Sequence, residues 1–234
     1  MKKIIVFLLV VALCVPALFS CALVDKVTVL IGGPLGAVSK MYEASLPTKV
    51  VATTKQTVGA LELNCSYELI TGYVDNKPAS VYISKTEEIR SVEDGGNNDE
   101  IKDIIKSSTR KTEAIEGVGS RVNGGDWNPD GTVWTISRGG MAINLDKKLV
   151  ENVVYANNTL TFTIPSANVG AVLGEDYASD IAGDVDVTIV DDGAVIASIE
   201  LHYFLVANED ANLVESEMNV KVVYTYDIER INIE

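Results

Sequence analysis

Asp126, Asn128 and Asp130, followed by Gly131, place three oxygen-bearing side chains at alternate positions ahead of a glycine. Calcium loops begin with this spacing: positions 1, 3 and 5 give oxygens, glycine at 6 makes the sharp turn, and a bidentate Glu at 12 closes the shell. Here position 12 is Ser137, and Pro129 stands inside the loop, so only the first half of a site is present. Asn128-Pro129-Asp130-Gly131 also has the composition of a type I turn, in which Asn caps, Pro presets φ and Gly takes the positive φ of a bulge. A turn is therefore expected, with Trp127 and Trp134 paired across a hairpin. Calcium held by Asp126, Asn128 and Asp130, with a carboxylate borrowed from another loop, is the alternative; otherwise no cofactor or metal is expected.

The remaining residues offer little for catalysis. His202 is the only histidine, and it lies in the alternating run Glu200–Leu205, where a strand is expected. A Ser-His-Asp or Cys-His mechanism would need it, yet no G-x-S-x-G turn presents a serine. One His and one free Cys do not make a usual zinc site without carboxylates. Gly117-Val118-Gly119 and Gly124-Gly125 lack the strand–turn–helix setting of phosphate loops. With 33 acidic residues, a glycosidase-like carboxylate pair stays open, because distance decides that chemistry. The groups Asp94/Asp99/Glu100, Asp184/Asp186 and Asp191/Asp192 read as solvated loops and strand edges.

The first twenty residues read as a leader. Lys2 and Lys3 precede an apolar run from Ile4 to Leu18, interrupted by Pro16 and too short to span a bilayer of about 30 Å. Leu18-Phe19-Ser20-Cys21 follows and resembles the lipobox of bacterial lipoproteins, although Phe19 is bulkier than the residue usual there. That resemblance covers residues 1–21 alone. It implies lipidation of Cys21 with a diacylglyceryl thioether, often joined by an N-acyl chain such as palmitate, and export to a bacterial cell membrane or outer membrane facing away from the cytoplasm. Two or more chains give stable anchoring. The same residues also suit ordinary cleavage after Ala22.

Loss of Lys2 and Lys3 leaves 17 basic against 33 acidic side chains, a net charge of −16. Such a surface repels phosphate backbones and anionic headgroups, so no nucleic-acid partner is expected and any membrane attachment falls to the lipid. Cys14 leaves with the leader and Cys21 is committed to lipid, so no intramolecular disulfide is expected. Cys65, on the same side of an alternating run as Leu61 and Leu63, reads as a buried structural thiol.

The chain divides into a signal peptide (1–20), a lipid-anchored N-terminal segment (21–47) and a single β-rich domain (48–234). In the second part, a short helix over 34–44 would turn Leu35, Val38, Met41 and Tyr42 inward. Strands are expected over 49–58, 61–73 and 79–85. The acidic loop 93–100 should then open a helix, capped by Asn98 or Asp99, with Ile101, Ile104 and Ile105 on one face. A meander follows near 132–137, 140–145, 149–155 and 159–164, and short connections make its neighbours antiparallel. After a less regular insertion at 166–183 come strands over 185–190, 194–206 and 217–227, the last extending toward Ile233.

These elements specify a mainly β fold, an antiparallel β-sandwich or a curved barrel-like sheet with two or three short helices. The functional expectation is a non-enzymatic binding or structural module meeting an envelope protein or ligand. Its alternatives are a carrier or sensor of a hydrophobic ligand and a carboxylate-based glycan hydrolase.

Overall fold

The computed structural model describes residues 35, 38, 41, 46–58, 61–93, 101–136, 143, 145–175, 180–206, 215–227 and 230–233. The leader, Cys21 and Tyr42 lie outside them, as do the helix caps expected at Asn98 or Asp99.

The ten strands of the described residues belong to one antiparallel, curved, open sheet. They are β1 (Lys49–Val58), β2 (Leu61–Val74), β3 (Lys77–Glu93), β4 (Ile101–Ile115), β5 (Gly119–Val122), β6 (Glu151–Ala156), β7 (Thr159–Ile164), β8 (Ile181–Asp191), β9 (Ile196–Val206) and β10 (Glu215–Thr225). Their spatial order is β5-β4-β3-β2-β1-β10-β9-β8-β7-β6. Two five-stranded meanders thus meet where the first strand pairs the last, from Lys49 opposite Thr225 to Thr57 opposite Glu217. The expected choice between sandwich and curved sheet falls to the curved sheet, and it stays open at both edges.

Alternation sorts each strand between two faces. On one face, Val50 and Ala52 of β1, Leu63, Cys65, Tyr67 and Leu69 of β2, and Met218, Val220 and Val222 of β10 are buried. Val185, Val187 and Ile189 of β8 and Leu160, Phe162 and Ile164 of β7 continue the same core. Cys65 is free and buried beside Leu63, as its alternation required.

The topology itself demands a cover for this face. β5 and β6 occupy opposite edges, so the chain between them must cross the whole sheet. It crosses on the apolar side, laying down Ile136, Ile143, Leu145, Leu149 and Val150. Helical residues Leu35 and Val38 and the short helix α1 (Val169–Leu173), with Val169 and Val172 buried, complete the layer. Met41 packs against it as its spacing foretold.

Two expectations are corrected here. The helix opened by Ile101 is instead β4, paired with β3 without a slip from Ala79 opposite Ile115 to Glu93 opposite Ile101. Once Lys77–Glu93 runs as one long strand, its partner gains a complete ladder, and that outweighs a weak local helical period. Residues 132–136 form no strand; they belong to the segment that links the two edges of the sheet. Their alternation reflects contact with the core below: Trp134 packs on Tyr82 with ring centroids 4.3 Å apart, and its backbone N–H donates to Ser80 Oγ at 2.9 Å. Ile143 and Leu145 are likewise buried without strand structure, while most of 137–144 lies outside the described residues. In the insertion stand a single 3₁₀ turn (Ser166–Asn168) and α1, the short helical turns expected there.

Candidate functional site

The second face of the sheet carries the polar half of every alternating strand. Its centre is a trough of about 680 Å³ lined by seven adjacent strands, β4 through β8 in spatial order. Strand register resolves the lining into two cross-strand rows. In one row Thr109 faces Lys85, which faces Ser66, then Thr53, Lys221, Glu200 and Thr188. In the other, Ser107 faces Glu87, followed by Asn64, Lys55, Asn219, His202 and Asp186. Six interstrand gaps at about 4.8 Å make each row about 29 Å long.

Ion pairs run along and beside these rows. Lys221 Nζ reaches Glu200 Oε1 at 2.6 Å, Lys55 reaches Glu62 Oε2 at 2.6 Å, and Lys49 reaches Glu68 Oε1 at 2.7 Å. Asp186 Oδ1 accepts from Thr163 Oγ1 at 3.0 Å. His202 Nε2 lies 3.0 Å from Glu217 Oε1, and its ring meets the edge of Phe204 with centroids 5.5 Å apart. The His202 hydrogen bond, then that of Asn219, holds the Glu217 carboxyl below its ordinary range. Hydrogen bonds from Lys55 and Asn64 do the same for Glu62. Exposed pairs of this kind contribute little stability singly, about 0–1 kcal/mol. Their effect is to fix a patterned array of donors and acceptors on a rigid sheet. His202 is therefore a strand residue of that array.

Next to the trough the same face becomes apolar. Ala79, Val81 and Ile231 are buried there, with Ile70, Ile83 and Ile115 against them. Ile231 belongs to the C-terminal tail, whose N–H donates to Tyr73 O at 3.3 Å and whose Arg230 bridges Tyr73 in parallel. The tail does not prolong β10 but folds over this cluster. Close by, Glu113 is buried and held from both sides, by Arg121 Nε at 2.6 Å from Oε2 and Lys111 Nζ at 2.6 Å from Oε1. Trp127 in turn covers the Arg121 guanidinium, 5.1 Å from ring centroid to Cζ. Burial pushes the Glu113 carboxyl upward, but the two cations outweigh it and leave it below its usual value.

Residues Asn128–Gly131 form the expected turn. Gly131 N–H donates to Asn128 O at 3.1 Å and Asp130 N–H to Asn128 Oδ1 at 3.1 Å. The glycine is needed for a different reason than expected. Its φ is not positive; a Cβ there would fall 2.0 Å from Ser120 Oγ and 2.6 Å from Ser120 N. Asp126, Asn128 and Asp130 are all exposed, and the Asn128 oxygen is spent on the turn. Trp127 and Trp134 do not pair with each other: one lies over Arg121 and the other packs tilted at 59° against Tyr82. Among the described residues no three His, Cys, Asp or Glu side chains converge as metal ligands.

At the other end, Asp191 is buried and accepts from Tyr155 OH at 2.9 Å and from Gly193 N–H at 2.8 Å. The Tyr155 phenol is raised by that bond. Asp192 accepts from the backbone of Val195 and Ala194, which lowers its carboxyl. The acidic pair thus builds the β8–β9 turn. The sequence held one clue to the trough, the run of Thr, Ser, Lys, Glu and Asn at outward positions, but which of these align is set by register.

No helix of the described residues is long and apolar enough to cross a membrane, which leaves β-barrel spanning unaddressed. No family model matches the sequence, and no curated protein matches it. Among solved structures, a DUF1329 family protein from Desulfovibrio piger is similar at 6% identity and a TM-score of 0.29, over 84% of this chain and 93% of that one. A porin-like protein from Bacteroides uniformis is similar at 10% identity and a TM-score of 0.24, over 76% and 96%.

Proposed function

We propose that this chain is a lipid-anchored cell-envelope protein whose β-sheet presents a non-enzymatic binding face, the polar trough, to a polar partner or ligand. The observation that carries the reading is the two-row array. One face of the sheet is closed by core, while the other leaves rows of hydroxyl, amide, ammonium and carboxylate groups open to solvent on a scaffold of seven strands. Rigid elements hold recognition groups better than loops do. A lipid on Cys21 would tether this face outside the cytoplasmic membrane, and the net charge of −16 on the chain after residue 20 would keep it from settling on anionic headgroups.

The rows of hydroxyl, amide and charged side chains favour a polar ligand over an apolar cargo, whose sites carry few polar groups. Two of its carboxylates are engaged by neighbours, Glu200 by Lys221 and Asp186 by Thr163. Because His202 is the sole histidine, its ring protons report on the trough directly. In NMR titrations of residues 22–234, a soluble envelope glycan or peptide should move the His202 ring signals, and a fatty acid should leave them in place. Tight fatty-acid binding that shifts His202, or glycan turnover in the same sample, would replace this reading with carrier or hydrolase.

A further inference from the structure

We infer that the outer edge of β4 is a docking strand for an extended acidic peptide segment of a partner protein, which would join the sheet as an eleventh strand. β5 pairs β4 only from Thr112 to Ile115. Among the described residues, the other side of β4 from Ile101 to Arg110 meets no strand and no backbone hydrogen bond leaves it outward. That is ten residues, about 33 Å of unpaired edge. The outward groups are known by phase. Lys111 turns its N–H and C=O to Asn123 at 2.8 Å, so the alternate residues Ser107 and Thr109 turn theirs the same way. Lys106 through Arg110 are all exposed.

Charge selects the occupant. The chain after residue 20 is at −16, yet Ile101–Lys111 carries Lys102, Lys106, Arg110 and Lys111 against Asp103 alone. A cationic edge discourages pairing with a second copy, because antiparallel self-pairing centred on Lys106 would set Lys106 against itself and Lys102 opposite Arg110. An acidic strand meets the reverse situation, with main-chain bonds supplying affinity and charge supplying choice. This surface borders the trough at Ser107 and Thr109 but stands independently of what the trough binds.

The test uses the full chain in detergent micelles with two labelled ten-residue peptides, alternating Thr-Glu and alternating Thr-Lys, read by fluorescence anisotropy. The acidic peptide should bind and the basic one should not, and amide exchange should slow at Ser107 and Thr109. Thr109→Pro removes an outward N–H while sparing the β3 ladder, so binding should be lost with the strand circular dichroism intact. Lys106→Glu with Arg110→Glu, which leaves the backbone alone, should weaken the acidic peptide about tenfold and admit the basic one. Absent or charge-blind binding overturns the inference, as does binding indifferent to both variants. A concentration-dependent dimer lost in Thr109→Pro would also overturn it, in favour of a second copy.

Discussion

Glu113 shows how a single side chain couples this fold to pH. Its side chain is 3% exposed, between Lys111 and Arg121, and its folded carboxyl sits below the ordinary 4.5. A depressed acid stabilises fully above its unfolded pKa, and that contribution is lost as pH falls through the folded value. Stability should therefore decline on acidification below about 4.5. Glu113→Gln keeps the shape but leaves two cations facing a neutral amide, which should cost about 2 kcal/mol at pH 7. Urea denaturation at pH 7 and pH 3.5 checks both points. The gap between wild type and variant should narrow at the lower pH, and a constant gap would show that the buried charge does not drive the decline. Sequence legibility at this scale was uneven. Cys65 and His202 fall where strand alternation put them, whereas nothing local marked Glu113 as buried, because its cover comes from tertiary packing.

At the scale of elements, the segment between β5 and β6 decides how the core is closed. It passes over the apolar face because its two ends must reach opposite edges of one sheet. Trp134 is its clamp, 40% exposed on one side and packed on Tyr82 on the other. Burial raises the Tyr82 phenol to about 12, so that ring stays neutral throughout the working pH range. Trp134→Ala should cost about 1.5 kcal/mol by thermal or chemical unfolding. It should also blue-shift nothing in Trp127, which sits on Arg121 elsewhere. A loss below about 0.3 kcal/mol would mean that the crossing segment is held by its later apolar residues alone. The strand-like pattern of this segment has a physical reason. Any extended chain lying on a surface alternates inward and outward, whether or not it hydrogen-bonds to a sheet.

For the whole molecule, the two faces of one sheet carry opposite tasks, core on one and an open polar array on the other. In the proposed reading, a lipid on Cys21 displays that sheet at the membrane. In bacterial fractionation Cys21→Ala should move the protein from membranes to the soluble fraction and abolish acyl labelling. Unchanged membrane retention, with no label in the wild type, would refute the anchor. The same experiment leaves the folded sheet untouched, so the trough and the β4 edge should behave alike in both forms.

By itself the sequence determined the β class, because alternating Val, Thr, Ile and Tyr recur at strand length with tight turns such as Asp75-Asn76 and Asn157-Asn158 between them, all four at positive φ. It also determined the antiparallel neighbours, since these connections are too short for a crossover. Only the tertiary structure decided that all ten strands share one sheet, that β1 closes on β10, and that Ile101–Ile115 is a strand. Those outcomes rest on pairing between residues as far apart as Lys49 and Thr225. Long-range ladders are worth more than the local preference of either partner, and no local window contains them.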